Sequence, residues 1–199
     1  EKLSLRDGHA LLMRRGSTAA ISAGRRCVPW RRLYDAAGAS TDAGLGVVTE
    51  VDGGVSRTTL MKTMMAHIDM PGRFTPGIRH CAVRAAIGPA ADEGALWRSL
   101  TFDNGDTVAE HAYASPAEGE IRFVRLEGSH EGDLEVVHAL HKAPLRIEHY
   151  QRSRATLERV KWSEPRARVA AAIAATVQVA RAAEAEASDA TFHPKQFPS

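Results

Sequence analysis

Six strand-length segments lie between residues 80 and 152 with only short turns between them, and an unbroken run without glycine or proline follows at 166–187. This order constrains the chain more than any other feature. Turns that short join antiparallel neighbours, so the segments 80–87, 95–103, 107–114, 120–127, 133–141 and 145–152 must form a meander. Asp103-Asn104-Gly105-Asp106 carries the Asn-Gly pair that most strongly marks a tight hairpin. The run at 166–187 is dominated by alanine, the best helix former, with Ser163 as candidate cap and Pro165 in its first turn. At roughly 1.5 Å per residue it spans roughly 33 Å, enough to cross a small domain.

A meander with one apolar face must cover that face. Two elements are available. One is the terminal helix, with Val169, Ile173, Val177 and Ala180 on one side. The other is a shorter helix at 57–68, capped by Ser56 and striped by Leu60, Met61, Met64, Met65 and Ile68. A β-branched segment at 46–51 reads as one further strand. The class is therefore α+β, a curved antiparallel sheet of about seven strands wrapped on a long C-terminal helix. The side chains of that helix are small, so sheet and helix leave space between them. That space predicts a ligand cavity.

Composition adds boundaries. The chain has 199 residues and an ordinary hydrophobic fraction of 44%. It contains no apolar run of about 18 residues, and 10–13 followed by Arg14-Arg15 makes a poor signal peptide. Residues 1–40 hold eight Lys/Arg against three acids, so the net charge of +2 conceals a basic leader and a body of −3. An acidic body argues against nucleic-acid binding. Residues 1–44 show no sustained period and read as an irregular basic extension, 45–187 as the folded domain, and 188–199 as a flexible tail. Two cysteines far apart, Cys27 and Cys81, predict reduced thiols and hence the cytoplasm.

Several strings carry a resemblance. A strand is followed by Ser56 and Leu60, then by Pro71-Gly72-Arg73-Phe74-Thr75-Pro76-Gly77-Ile78 leading to Cys81-Ala82-Val83. Arg98-Ser99-Leu100-Thr101-Phe102, Thr107-Val108-Ala109-Glu110 and Ile121-Arg122-Phe123 continue it. In these strings and their order, residues 45–187 resemble the SRPBCC superfamily of START/Bet v 1-like helix-grip proteins, and within it the AtaL-like branch. The resemblance implies a helix-grip fold with a cavity for a hydrophobic ligand, and no transferable catalytic set. Residues 153–163 depart from the pattern, lacking the acidic, glycine-containing loop expected before the last helix.

Strand alternation sorts the candidate side chains. Leu134, Val136, His138 and Leu140 share one face, as do Leu145, Ile147 and His149, and Ile121, Phe123 and Arg125. With these faces inward, His138, His149 and Arg125 become candidates for polar anchoring or acid–base work. Arg125 would pair with a ligand carboxylate or with Glu110. Met64, Phe74, Ile121, Phe123, Val136, His138, Ile147, His149, Ile173 and Val177 are expected to line the cavity. Trp97, Tyr113 and Tyr150 are further possible contacts. His138 and His141 point to opposite strand faces and cannot share an ion, and no other spacing suggests a metal. No Walker, GxGxxG, HExxH or GxSxG string occurs, so no cofactor is expected. Two main readings remain, beside a third in which the sheet surface serves as an interaction domain. One is holding a small hydrophobic metabolite. The other is a cofactor-free cyclase, dehydratase or isomerase acting on a polyketide-like compound in the same cavity.

Overall fold

A computed structural model describes residues 44–126, 133–162 and 164–192. Its elements are β1 (Val47–Glu50), α1 (Arg57–Met65), a 3-10 turn (Pro71–Arg73), β2 (Ile78–Ala85), α2 (Pro89–Asp92), β3 (Leu96–Phe102), β4 (Thr107–Ser115), β5 (Glu120–Arg125), β6 (Leu134–Lys142), β7 (Leu145–Ser153) and α3 (Arg166–Phe192). The sheet runs β1-β7-β6-β5-β4-β3-β2, antiparallel throughout. Its concave face holds α3, which makes this the α+β helix-grip architecture.

Local chemistry places the elements. Ser56 caps α1 by accepting the Thr59 N–H at 3.1 Å. The Glu184 carboxylate on α3 accepts from the Ser56 backbone N–H and hydroxyl at 3.3 and 3.0 Å, tying the two helices together. In the β3–β4 hairpin, Asn104 Oδ1 accepts the Asp106 N–H at 3.0 Å while Gly105 takes a φ of 85°. Gly46 has a φ of 128°, and a Cβ there would stand 2.8 Å from the His149 carbonyl and 2.7 Å from the Tyr150 Cβ. Only glycine lets β1 approach β7 this closely.

Apolar side chains fill one end of the hollow. Leu60, Met61, Met64 and Ile68 from the α1 region meet Ile121, Leu140 and Ile147 from the sheet and Val169, Ile173, Val177 and Ala180 from α3. The convex face is ordered by ion pairs. Glu135, 1% exposed, takes bonds from Arg152 and Arg122, and Glu148 takes them from Arg159 and His141.

Some boundaries differ from the sequence expectation. The stretch after Met65 tightens into i→i−3 bonds, His67 N–H to Met64 and Ile68 N–H to Met65, so α1 stops short of residue 68. The turn α2 was not expected. The terminal helix continues past residue 187 to Phe192, so its last turn takes in the start of the expected tail. Residues 153–162, the departure from the family pattern, double back onto β7. The Ser153 N–H donates to the Glu158 carbonyl and the Val160 N–H to that of Gln151, with a bridge between Arg152 and Arg159. The expected extension, save Gly44, lies outside the described residues.

Candidate functional site

Where α1 no longer reaches, the hollow between sheet and α3 stays open as a cavity of about 190 Å³. Its walls follow from alternation on successive strands: Arg98, Leu100 and Phe102 on β3, Val108 and Glu110 on β4, Phe123 and Arg125 on β5, Leu134, Val136 and His138 on β6, and His149 and Gln151 on β7. Val169 and Ala172 of α3 form the roof, with Trp162, Glu164 and Arg168 at its start. His67, Pro71, Thr75 and Ile78 close the side.

Three histidines meet on the inner wall. His138 and His149 are direct cross-strand partners, and their rings stack in parallel with centroids 3.6 Å apart. His67 stands edge-on to both, at 5.1 and 6.0 Å, and stacks on Phe74 at 4.0 Å. The Thr176 hydroxyl donates to the Ala172 carbonyl at 2.8 Å, which spends its only proton. His67 Nε2 must therefore be the donor in its 2.8 Å bond to Thr176 Oγ1, which defines the tautomer of His67. Burial holds His67 and His138 well below the ordinary histidine value, with further depression from neighbouring histidines and Arg98, and burial alone pushes His149 down to about 3. All three are neutral at pH 7. His138 Nδ1 and His149 Nε2 are buried and make no hydrogen bond among the described residues.

Charged groups sit on the same wall. Arg98 donates from Nε and Nη2 to Glu110 Oε2 at 3.0 and 2.7 Å, and from Nη1 to the His67 carbonyl at 2.6 Å. Its guanidinium lies 3.8 Å over the Phe123 ring. At the mouth, Glu164 Oε1 stands 3.6 Å from Arg168 Nε. Burial pushes the Glu164 carboxyl up to about 7, against the pull of Arg168 and Arg125. The arrangement thus offers an apolar chamber, two unpartnered neutral imidazole nitrogens, and a mouth where a carboxyl titrates near neutrality beside two cations. Among the described residues no group of three His, Cys, Asp or Glu side chains is placed to hold a metal ion, and no helix is long and apolar enough to cross a membrane.

Of the residues singled out in the sequence, Phe123, Val136, His138, His149 and Arg125 line the cavity. Met64, Ile121, Ile147, Ile173 and Val177 do not; they belong to the packed end, and Phe74 is buried behind His67. Alternation assigns a face but not a depth along the groove, and these residues lie at the end where α1 packs against sheet and α3. Glu110 is bonded to Arg98 rather than Arg125. Trp97, Tyr113 and Tyr150 pack under Arg84, Arg122 and Arg159 instead of lining the cavity. His141 bonds Glu148 at 2.9 Å and is no part of the cavity wall.

The sequence reading passed over His67, Arg98, Glu164 and Arg168. His67 follows Met64 by three residues and so continues the buried stripe of α1, a signal within reach. A two-residue Asn-Gly turn would set Arg98 opposite His111; the loop instead holds three residues, with the Phe102 N–H donating to the Asp106 carbonyl, and this sets Arg98 opposite Glu110. Glu164 offers no such signal, because an acid just before a helix ordinarily reads as a solvated partner of the helix dipole.

No family model matches this chain, and no curated protein matches it. Among the solved structures that match is the crystal structure of the di-domain ARO/CYC StfQ from the steffimycin biosynthetic pathway. It is 12% identical, at a TM-score of 0.43, with 72% of this chain and 51% of that chain covered. The chain spans about half the length of that protein.

Proposed function

We propose that this chain binds a small hydrophobic metabolite in the cavity between the sheet and α3, as a helix-grip protein of the AtaL-like kind serving secondary metabolism in the cytoplasm. The observation that carries the reading is the cavity itself, about 190 Å³ left unfilled beside a well-packed core. An apolar void of about 150 Å³ already accommodates a benzene-sized guest. The strings around Phe74-Thr75-Pro76-Gly77-Ile78 support the branch, and the free thiol of Cys81 supports the compartment. The partner is the small molecule, with no nucleic acid and no membrane span.

A second reading has its own support. Neutral His138 and His149 with unpartnered nitrogens, together with a Glu164 that exchanges its proton near pH 7, suit a cofactor-free cyclase, dehydratase or isomerase working on a polyketide-like compound. His138 or His149 would accept or return a proton in a chamber poor in water.

Thermal-shift screening against small aromatic, lipid and polyketide-like compounds tests the first reading. Saturation at 100 times Kd raises stability by about 2.7 kcal/mol. Failure of every ligand small enough for the cavity to stabilise the fold refutes it. With a ligand in hand, turnover that His138→Ala and His149→Ala each abolish favours the enzyme, and binding without turnover favours the carrier.

A further inference from the structure

Size, wall chemistry and charge together narrow the ligand. The volume fits one substituted ring. The inner wall, with Leu100, Phe123 and Val136 around the two neutral imidazoles, suits the uncharged body of such a ring. Charge is concentrated at the mouth. Arg125 reaches it from β5 and Arg168 from α3, while Glu164 supplies the single carboxyl there among the described residues. Deeper in, Arg98 and Glu110 neutralise each other, and the histidines carry no charge at pH 7. Among the described residues the mouth therefore carries +1 with Glu164 ionised and +2 with Glu164 neutral. Glu110, the acid directly across from Arg125 in the β4–β5 register, is committed to Arg98. No carboxylate lies within ion-pair distance of Arg125 among the described residues.

We infer that the cavity is built for a one-ring carboxylic acid seated ring first, with its carboxylate on Arg125 at the mouth, and that Glu164 must be protonated before it enters. The inference rests on the cavity being a ligand site and adds the class of ligand and its coupling to a proton. An ionised Glu164 and an incoming carboxylate are like charges competing for the same cations, and the second is admitted when the first is discharged. Binding then takes up one proton at alkaline pH. Glu164 is the group at the mouth whose charge changes near neutrality.

The test uses the full chain with benzoate and benzyl alcohol as probes, near equal in size and differing in charge. Calorimetry from pH 6 to 8.5 should show benzoate binding weaken about thirty-fold, following the ionisation of a group near 7, while benzyl alcohol stays flat. In phosphate and Tris buffers at pH 8 the apparent enthalpies should differ by the uptake of about one proton per benzoate. Glu164→Gln should make benzoate binding independent of pH at its acid-side strength. Arg125→Met should weaken benzoate at least tenfold more than benzyl alcohol. Should Arg125→Met fail to fold, the pH dependence and proton uptake of the unmodified chain still decide. Benzyl alcohol binding while benzoate does not, or a pH dependence that persists in Glu164→Gln, overturns this inference and leaves the cavity reading standing. Absence of binding by both probes overturns this inference, and the thermal-shift screen then decides the cavity reading separately.

Discussion

Arg98→Met should be among the most damaging single substitutions in the chain. The guanidinium is 6% exposed and makes three hydrogen bonds, two to Glu110 and one to the His67 carbonyl. Methionine fills much of the same space but leaves the Glu110 carboxylate, itself 8% exposed, without its counter-charge. Breaking one side of a buried pair costs about 3–5 kcal/mol, and a lost hydrogen bond to a buried carbonyl adds about 1 kcal/mol or more. The total of about 4–6 kcal/mol is a large part of the 5–15 kcal/mol that holds a typical domain together. Replacing both partners removes the orphaned charge as well. Arg98→Met/Glu110→Met should therefore be more stable than Arg98→Met alone by several kcal/mol. Urea unfolding followed by far-UV circular dichroism reads Arg98→Met, Glu110→Met and the double variant, with an unchanged m-value showing that the transition is comparable. If Arg98→Met alone costs under about 1 kcal/mol, or the double variant is as unstable as the sum of the singles, the pair is not the buried, mutually dependent unit described above.

Three further outcomes are expected. Gly46→Ala should destabilise by about 2–4 kcal/mol in the same urea assay, because its Cβ would meet the β7 backbone at a φ that alanine resists. The folded value of His149, about 3, lies below the unfolded one of about 6.5, so its contribution is present above pH 6.5 and is lost as pH falls from there towards 3. Between pH 7 and pH 5 that loss is about 2 kcal/mol, and unfolding midpoints of His149→Phe should fall less over this range than those of the parent. Val136→Phe should fill the cavity, weakening any ligand at least tenfold while changing stability by less than about 1.5 kcal/mol, as paired ligand titration and thermal melts would report.

The strand order, the two helices and the inward faces of β5, β6 and β7 were legible because they depend on periodicity and turn chemistry, which are local. Ser56 and Asn104-Gly105 announce their roles within four residues of themselves. What sequence could not supply was position along the groove. Ile147 and His149 stand two residues apart on one face of β7, yet one is core and the other is cavity wall, because α1 ends between them. Glu164 was hidden for a related reason. Its burial depends on where the start of α3 lands on the far ends of β5 and β6, a long-range outcome that no spacing encodes. The convex face was the reverse surprise: Glu135 sits on β6 between Val124 of β5 and Arg152 of β7, where alternation predicts solvent, and arginines from β5 and β7 enclose it.

The uneven filling of the hollow separates two kinds of evolutionary freedom. Around Ile147 and Ile173, shaving a side chain to alanine forfeits about 2–5 kcal/mol, so drift there is costly. Around Leu134, Val136 and Ala172 the neighbours are partly empty space, and a change of volume mostly redraws the outline of the chamber. A lineage could retune what enters by exchanging a handful of such residues while its folding nucleus goes untouched.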